Sequence, residues 1–175
     1  MSRRLSVNRL TILALLTTLC HVGRIAFQFL PNVQPVTTII VLVTLTMGTL
    51  EGSFVSAGSM VLSNILLGMG PWTVYQILSY IAVVLVVGLL RKLYRRMDGK
   101  PHLRRLLFAF VSGGAGLLYG FVISVFSAQL FSVVNFWVYY MQGLSFDVMH
   151  MVGNIIFFLL LEPVLVPIIQ KHIKD

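Results

Sequence analysis

Three polar residues near the end of the chain have a spacing that could support chemistry. Asp147, His150 and Asn154 stand at positions i, i+3 and i+7, which places them on one face of a helix. A carboxylate one helical turn from a histidine can orient and charge it, so an acid–base pair acting on a lipid-linked substrate is one interpretation. A cap at the start of a helix is another. We favour a substrate-binding stripe, because Asn154 lies deeper than a cap requires.

One arginine stands apart from the other basic residues. Arg24 ends a largely apolar run and is followed one turn later by Gln28. A charged side chain in such a run needs a partner or water, and it often marks a functional site. Arg24 could bind an anionic or carbonyl group of a substrate, extend to the membrane interface, or pair with Asp147. The sequence leaves these three interpretations open.

A turn in the middle of the chain gathers glycine, proline and aromatic residues. It reads Gly68-Met-Gly-Pro-Trp-Thr73, and Tyr75 follows it. Trp72 could stack on a ligand, or it could be an aromatic anchor at the membrane surface. Asn64 lies shortly before the turn within an apolar segment, and it favours a binding role for the turn as a whole.

Several kinds of chemistry are not predicted. Asp147 and His150 have a possible metal-ligand spacing, but no second pair of ligands lies near them, so we expect no metal site. The chain has no G-x4-G-K-[ST], H-E-x-x-H or G-x-S-x-G motif, which argues against nucleotide hydrolysis and against common zinc or serine hydrolases. We therefore expect a protein that is not an enzyme and carries no cofactor.

The composition determines the kind of elements that must position these residues. Of the 175 residues 58% are hydrophobic and 10% are charged, and the mean hydropathy is +0.93. A soluble domain of this size could not bury so much apolar surface, so the chain is predicted to lie in a lipid bilayer. Each crossing needs about 20 apolar residues. We predict an all-α, polytopic membrane protein whose residues 1–175 form one membrane-embedded domain.

The basic residues predict the number of crossings. Apart from Arg24 they form three groups, namely Arg3, Arg4 and Arg9, seven residues between Arg91 and Arg105, and Lys171 with Lys174. Three groups between apolar spans are typical of cytoplasmic segments, not of a nucleic-acid-binding face. If all three face the cytoplasm, each stretch between them crosses the membrane an even number of times. Four crossings fit the first stretch and two fit the second.

The resulting topology has six transmembrane helices with both termini in the cytoplasm. The second and third spans are expected near 36–50 and 53–67, and the last two near 106–134 and 146–169. The loops at 31–35, 68–73 and 135–147 then all lie on the outer face. The unusual residues gather in or beside these loops.

Three segments resemble the substrate-binding S components of energy-coupling factor (ECF) vitamin importers, particularly the cobalamin-specific branch. They are Pro31-Asn-Val-Gln-Pro-Val-Thr37, Ser63-Asn-Ile-Leu-Leu-Gly-Met-Gly-Pro-Trp-Thr73 and Phe146-Asp-Val-Met-His-Met-Val-Gly-Asn154. The resemblance implies a six-helix subunit of a bacterial plasma membrane that captures a vitamin beneath the outer loops. It also implies a transmembrane T component and two cytosolic ATPases as partners. ATP is used by the ATPases, and the substrate-binding subunit itself needs no cofactor.

The resemblance also suggests a docking motif and a substrate. The family docks on its T component through a small-x3-small motif in helix 1, where Ala14 matches and Thr18 takes the second place. The expected pocket contains the uncharged groups of Asn32, Gln34, Asn64, Trp72, Tyr75 and Asn154, together with Arg24, Asp147 and His150. Cobalamin is the substrate favoured by the resemblance. The residues themselves would equally suit a smaller neutral vitamin or a nucleobase-like compound.

Overall fold

The computed structural model describes residues 7–173, and within that range it is helical and contains no strand. Arg3, Arg4 and Lys174, which were used to count crossings, lie outside the described residues. The helices are α1 (Val7–Ala26), α2 (Val36–Thr46), α3 (Thr49–Leu67), α4 (Pro71–Arg96), α5 (Pro101–Leu130) and α6 (Phe136–Ile173). All except α2 are long and apolar enough to cross a membrane. The all-helical, polytopic prediction is confirmed.

Helix α2 is shorter than predicted because the chain turns early. The sequence predicted a span near 36–50, but α2 ends at Thr46 and α3 begins at Thr49. Gly48 makes the turn with φ +140°, a conformation that side chains other than glycine rarely adopt. The 11 residues of α2 extend about 17 Å, which is less than the hydrocarbon thickness of about 30 Å.

Helix α2 is the core of the bundle. Every residue from Val36 to Leu45 is buried, and α2 packs against each of the other five helices. A helix that is apolar on all sides is typical of a buried position. Because protein surrounds it, α2 can carry the hydroxyl groups of Thr37 and Thr38 into the interior, where both find hydrogen-bond partners.

Two ion-paired clusters hold one end of the bundle together. At this end, which we call the basic end, Arg9 of α1 pairs with the buried Glu51 of α3. Arg91 of α4 donates hydrogen bonds to the carbonyl oxygens of Thr46 (3.2 Å) and Met47 (2.7 Å). These carbonyls end α2 and would otherwise have no helical partner.

The second cluster surrounds Glu162 of α6. Arg104 lies 2.9 Å and Arg105 lies 2.8 Å from the Glu162 carboxylate, and the Tyr94 hydroxyl donates to it at 3.1 Å. The Arg104 guanidinium also lies over the Tyr94 ring, 4.6 Å from its centroid. One buried carboxylate therefore ties α4, α5 and α6 together.

The start of α6 corrects the prediction for the last outer loop. Residues 135–147 were expected to form a loop, but α6 begins at Phe136 and only the segment from 131 to 135 lies between the helices. The Asn135 side chain accepts a hydrogen bond from the Val138 backbone nitrogen at 3.2 Å and thereby caps the helix. Asp147 lies about three turns inside α6, so its interpretation as a helix cap is wrong.

Candidate functional site

A polar cavity of about 100 Å³ lies at the end of the bundle opposite the basic end. We call it the polar cavity. All six helices and the loop after α1 contribute to its wall. The lining residues are Arg24, Asn32, Gln34, Thr37, Met60, Gln76, Tyr80, Tyr119 and His150. Arg24, Asn32, Gln34 and His150 were among the residues predicted from the sequence to bind a substrate.

Arg24 is the cation of this wall. Its Nη1 donates hydrogen bonds to Ser63 Oγ at 2.5 Å and to Asn64 Oδ1 at 3.1 Å, both on α3. Within residues 7–173 it has no carboxylate partner, so the pair with Asp147 considered above is not present. A guanidinium held only by neutral groups keeps its full charge available to an anionic or carbonyl oxygen of a ligand.

Asn64 connects Arg24 to the start of α4. It does not line the cavity itself but lies directly behind residues that do. Its carbonyl oxygen accepts from Arg24, while Nδ2 donates to Thr73 Oγ1 (2.8 Å) and to Gln76 Oε1 (2.7 Å). Because the oxygen of Gln76 is occupied, the Gln76 amide nitrogen remains to donate into the cavity. Asn64 thus orients the side chains of Arg24 and Gln76, both of which line the cavity.

Aromatic rings and a hydroxyl form the deeper wall. Thr37 Oγ1 lies 3.0 Å from Tyr80 Oη and 2.8 Å from His150 Nε2. The rings of Tyr80 and Tyr119 are 4.3 Å apart, and His150 stands edge-on to Tyr119 at 5.6 Å. The buried Nδ1 of His150 has no hydrogen-bond partner among the described residues. The wall can therefore contact a flat apolar group and still offer polar atoms at its edge.

The loop between α1 and α2 packs over the cavity. Asn32 has a positive φ of 59°, which asparagine tolerates better than most residues, and its Nδ2 donates to the Phe146 carbonyl of α6 at 3.3 Å. Pro35 packs directly on Gly23, where a Cβ would collide with the proline ring. These contacts place Asn32 and Gln34 in the wall.

Trp72 and Tyr75 do not line the polar cavity. Trp72 is 44% exposed, and its indole nitrogen donates to the Gly68 carbonyl at 3.2 Å. This bond closes the turn and leaves the ring partly exposed, as in an interfacial anchor. Tyr75 stacks on Phe126 of α5 with the ring centroids 5.2 Å apart. Trp72 thus stabilises the α3–α4 turn, and Tyr75 contributes to the contact between α4 and α5.

Asp147 and Asn154 lie in the contact between α5 and α6. Asp147 packs on Gly120 and Asn154 packs on Gly116, where a side chain on either glycine would collide with them. Both side chains are buried, and each has atoms without a hydrogen-bond partner among the described residues. No hydrogen bond joins Asp147 to His150 within that range, so the geometry does not support an acid–base pair.

Five lining residues were not predicted, namely Thr37, Met60, Gln76, Tyr80 and Tyr119. Two signals in the sequence could have found some of them. Thr37 ends the first of the three motif segments, and Gln76 and Tyr80 are four residues apart on α4, a spacing that places them on one helical face. Nothing in the sequence singles out Met60. Within residues 7–173 no group of three His, Cys, Asp or Glu side chains is arranged to hold a metal ion.

Comparison with known protein families gives one match. A family model described as ECF transporter, substrate-specific component, matches residues 8–169. Searches of curated proteins and of solved structures found no match. The matched range includes all or most of each of the six helices and every residue that lines the polar cavity.

Proposed function

The chain belongs to the substrate-specific components of ECF transporters, and from this premise we propose that it captures a vitamin in the polar cavity. Members of this family are multi-pass membrane subunits that bind a small-molecule substrate, and they are not enzymes. Interaction with T and ATPase components follows from the same membership. The cavity end would face outward, and the partners would supply the energy for inward delivery.

The observation that carries this proposal is the convergence of all six helices on one polar cavity. Polar groups inside a membrane protein are costly unless they have partners. Here Arg24 and Gln76 keep hydrogen-bonding capacity that the protein does not use. A polar ligand of matching shape would satisfy these groups and displace water from the cavity.

For the substrate we propose cobalamin or a related corrinoid, on the strength of the three motif segments. Ligand pockets usually measure about 300–1,000 Å³, whereas the polar cavity measures about 100 Å³. A corrinoid would therefore require the α1–α2 loop and the α3–α4 turn to move outward. The small volume and the adjacent rings of Tyr80 and Tyr119 favour a second candidate, a small planar vitamin that fits with little movement.

Calorimetric titration of the purified chain, without partner subunits or ATP, tests both candidates. Cobalamin and a panel of small vitamins would be titrated separately. We expect one of them to bind, and we expect Arg24→Gln to weaken that binding about 10- to 100-fold, because a hydrogen bond to a charged group contributes about 1.5–3 kcal/mol. Lys100→Gln, an exposed basic residue at the other end of the bundle, is the control and should bind normally.

Two results would contradict the proposal. Equal affinity in the wild type and Arg24→Gln would show that the ligand binds elsewhere. Binding of neither cobalamin nor any small vitamin by a well-folded sample would contradict the function itself. If only a small vitamin binds, the corrinoid assignment is wrong and the polar cavity remains the site.

A further inference from the structure

The last turns of α4 border a groove at the basic end that is independent of the polar cavity. Its volume is about 500 Å³, and it is lined by Gly88, Leu89, Arg91, Lys92, Arg95 and Arg96. We call it the α4 groove. Four of its six lining residues are basic, and none is acidic. Such a wall is suited to an anion.

Three of the four basic side chains of this groove, those of Lys92, Arg95 and Arg96, have no ion pair with a carboxylate of the described residues. At the basic end Glu51 pairs with Arg9, while Asp98 and Glu162 pair with Arg104 and Arg105. Lys92, Arg95 and Arg96 are exposed, and within residues 7–173 none of them forms an ion pair with a carboxylate. These three cations beside one groove are therefore available to bind an anion.

The surface next to these cations is strongly apolar. Leu85 and Leu89 share a helical face with Lys92 and Arg96, and Leu89 is 82% exposed. Helix α4 has 26 residues and is about 39 Å long, which exceeds the hydrocarbon thickness of about 30 Å. The leucines can thus lie beside acyl chains while the last turn reaches the level of the lipid head groups.

We propose that the α4 groove binds an anionic phospholipid. Its phosphate would lie between Lys92, Arg95 and Arg96, and its acyl chains would follow Leu85 and Leu89. Arginine donates paired hydrogen bonds to phosphate oxygens, and lysine adds a point charge. Basic pockets at the ends of transmembrane helices bind lipid head groups in this way. The exposed leucines favour a phospholipid over free phosphate, because a free anion would gain nothing from them.

Native mass spectrometry of the full chain in neutral detergent tests the proposal. The sample would be titrated with phosphatidylglycerol or with phosphatidylcholine as the uncharged control. We expect at least tenfold tighter retention of phosphatidylglycerol. The double variant Lys92→Gln/Arg96→Gln should bind phosphatidylglycerol at least tenfold more weakly than the wild type. The charge-matched control Lys100→Gln/Lys171→Gln changes two other exposed residues and should stay within threefold of the wild type.

Several outcomes would overturn this assignment. Equal losses in the two double variants would indicate diffuse charge attraction, and equal retention of the two lipids would remove the preference for an anion. Displacement of phosphatidylglycerol by equimolar inorganic phosphate would assign the groove to free phosphate. The charge-conserving variant Lys92→Arg/Arg96→Lys separates binding from folding, because it should fold and retain the lipid if the proposal holds.

Discussion

At the scale of single residues, charge burial distinguishes two carboxylates that share a partner. Arg104 pairs with both Glu162 and Asp98, but the Glu162 side chain is 2% exposed whereas that of Asp98 is 63% exposed. Removing one member of a buried ion pair leaves the other charge buried and uncompensated. A pair whose carboxylate is exposed, as Asp98 is, contributes little, because water and salt already screen that charge.

Substitution of these two carboxylates should therefore have very different effects. We expect Glu162→Ala to lower the free energy of unfolding by about 3–5 kcal/mol, and Asp98→Ala to lower it by about 1 kcal/mol or less. Thermal or denaturant unfolding of the full chain in detergent measures both. Similar losses in the two variants would contradict the importance of burial.

The sequence predicted some site residues better than others, for a physical reason. Arg24 was identified because a lone cation in an apolar run is costly and often marks a functional site. Thr37 and Tyr80 are common residues in apolar helices, and only the packing of α2 against α4 and α6 brings them to the cavity. Asp147 and Asn154 share a helical face with His150, but both pack against glycines of α5 and lie in the contact between α5 and α6.

At the scale of elements, glycines on α5 permit the close approach of α6. A Cβ on Gly116 would lie 2.6 Å from Asn154 Nδ2 and 3.3 Å from the His150 carbonyl carbon. A Cβ on Gly114 of the same helix would meet nothing within 4 Å. The two positions are therefore a matched pair that differ in helix contact and not in helix propensity.

Replacing these glycines by alanine should separate the two effects. We expect Gly116→Ala to destabilise the protein by about 1–3 kcal/mol, the usual cost of overpacking. Gly114→Ala should be neutral or slightly stabilising, because alanine favours the helix. Comparing the unfolding of both variants in the same detergent measures the difference. Equal stability would show that α6 moves aside without cost.

The sequence predicted helix boundaries correctly where glycine and proline mark a clear break. The prediction failed where the breaking residues are less distinctive. The break at Gly68-Met-Gly-Pro71 was predicted, and it separates α3 from α4. The turn at Gly48 was missed because the break between the second and third spans was expected at Glu51 and Gly52, although Glu51 is buried and pairs with Arg9. The start of α6 was missed because Asn135, Gln142, Gly143 and Ser145 interrupt the apolar pattern as a loop would, yet Asn135 caps a helix there.

At the scale of the whole molecule, α1 has an outer face that the other helices do not cover. Ala14, Leu15, Thr18 and Leu19 are exposed, and α1 packs on α2, α3 and α6 with its opposite side. The Thr18 hydroxyl donates to the Ala14 carbonyl at 2.9 Å, so this face offers no unsatisfied polar group to lipid. Small residues there would let a helix of the T component approach closely.

This face gives a prediction about assembly that leaves the polar cavity unchanged. Ala14→Trp should reduce co-purification of the T component and the ATPases at least tenfold, because the ring would fill the space that a docked helix needs. Substrate binding by the isolated chain should not change, since Ala14 does not line the cavity. Leu160→Trp, on an exposed face of α6, is the control and should preserve the complex. Retention of the complex by Ala14→Trp, or its equal loss in both variants, would mean that the subunit docks through a different surface.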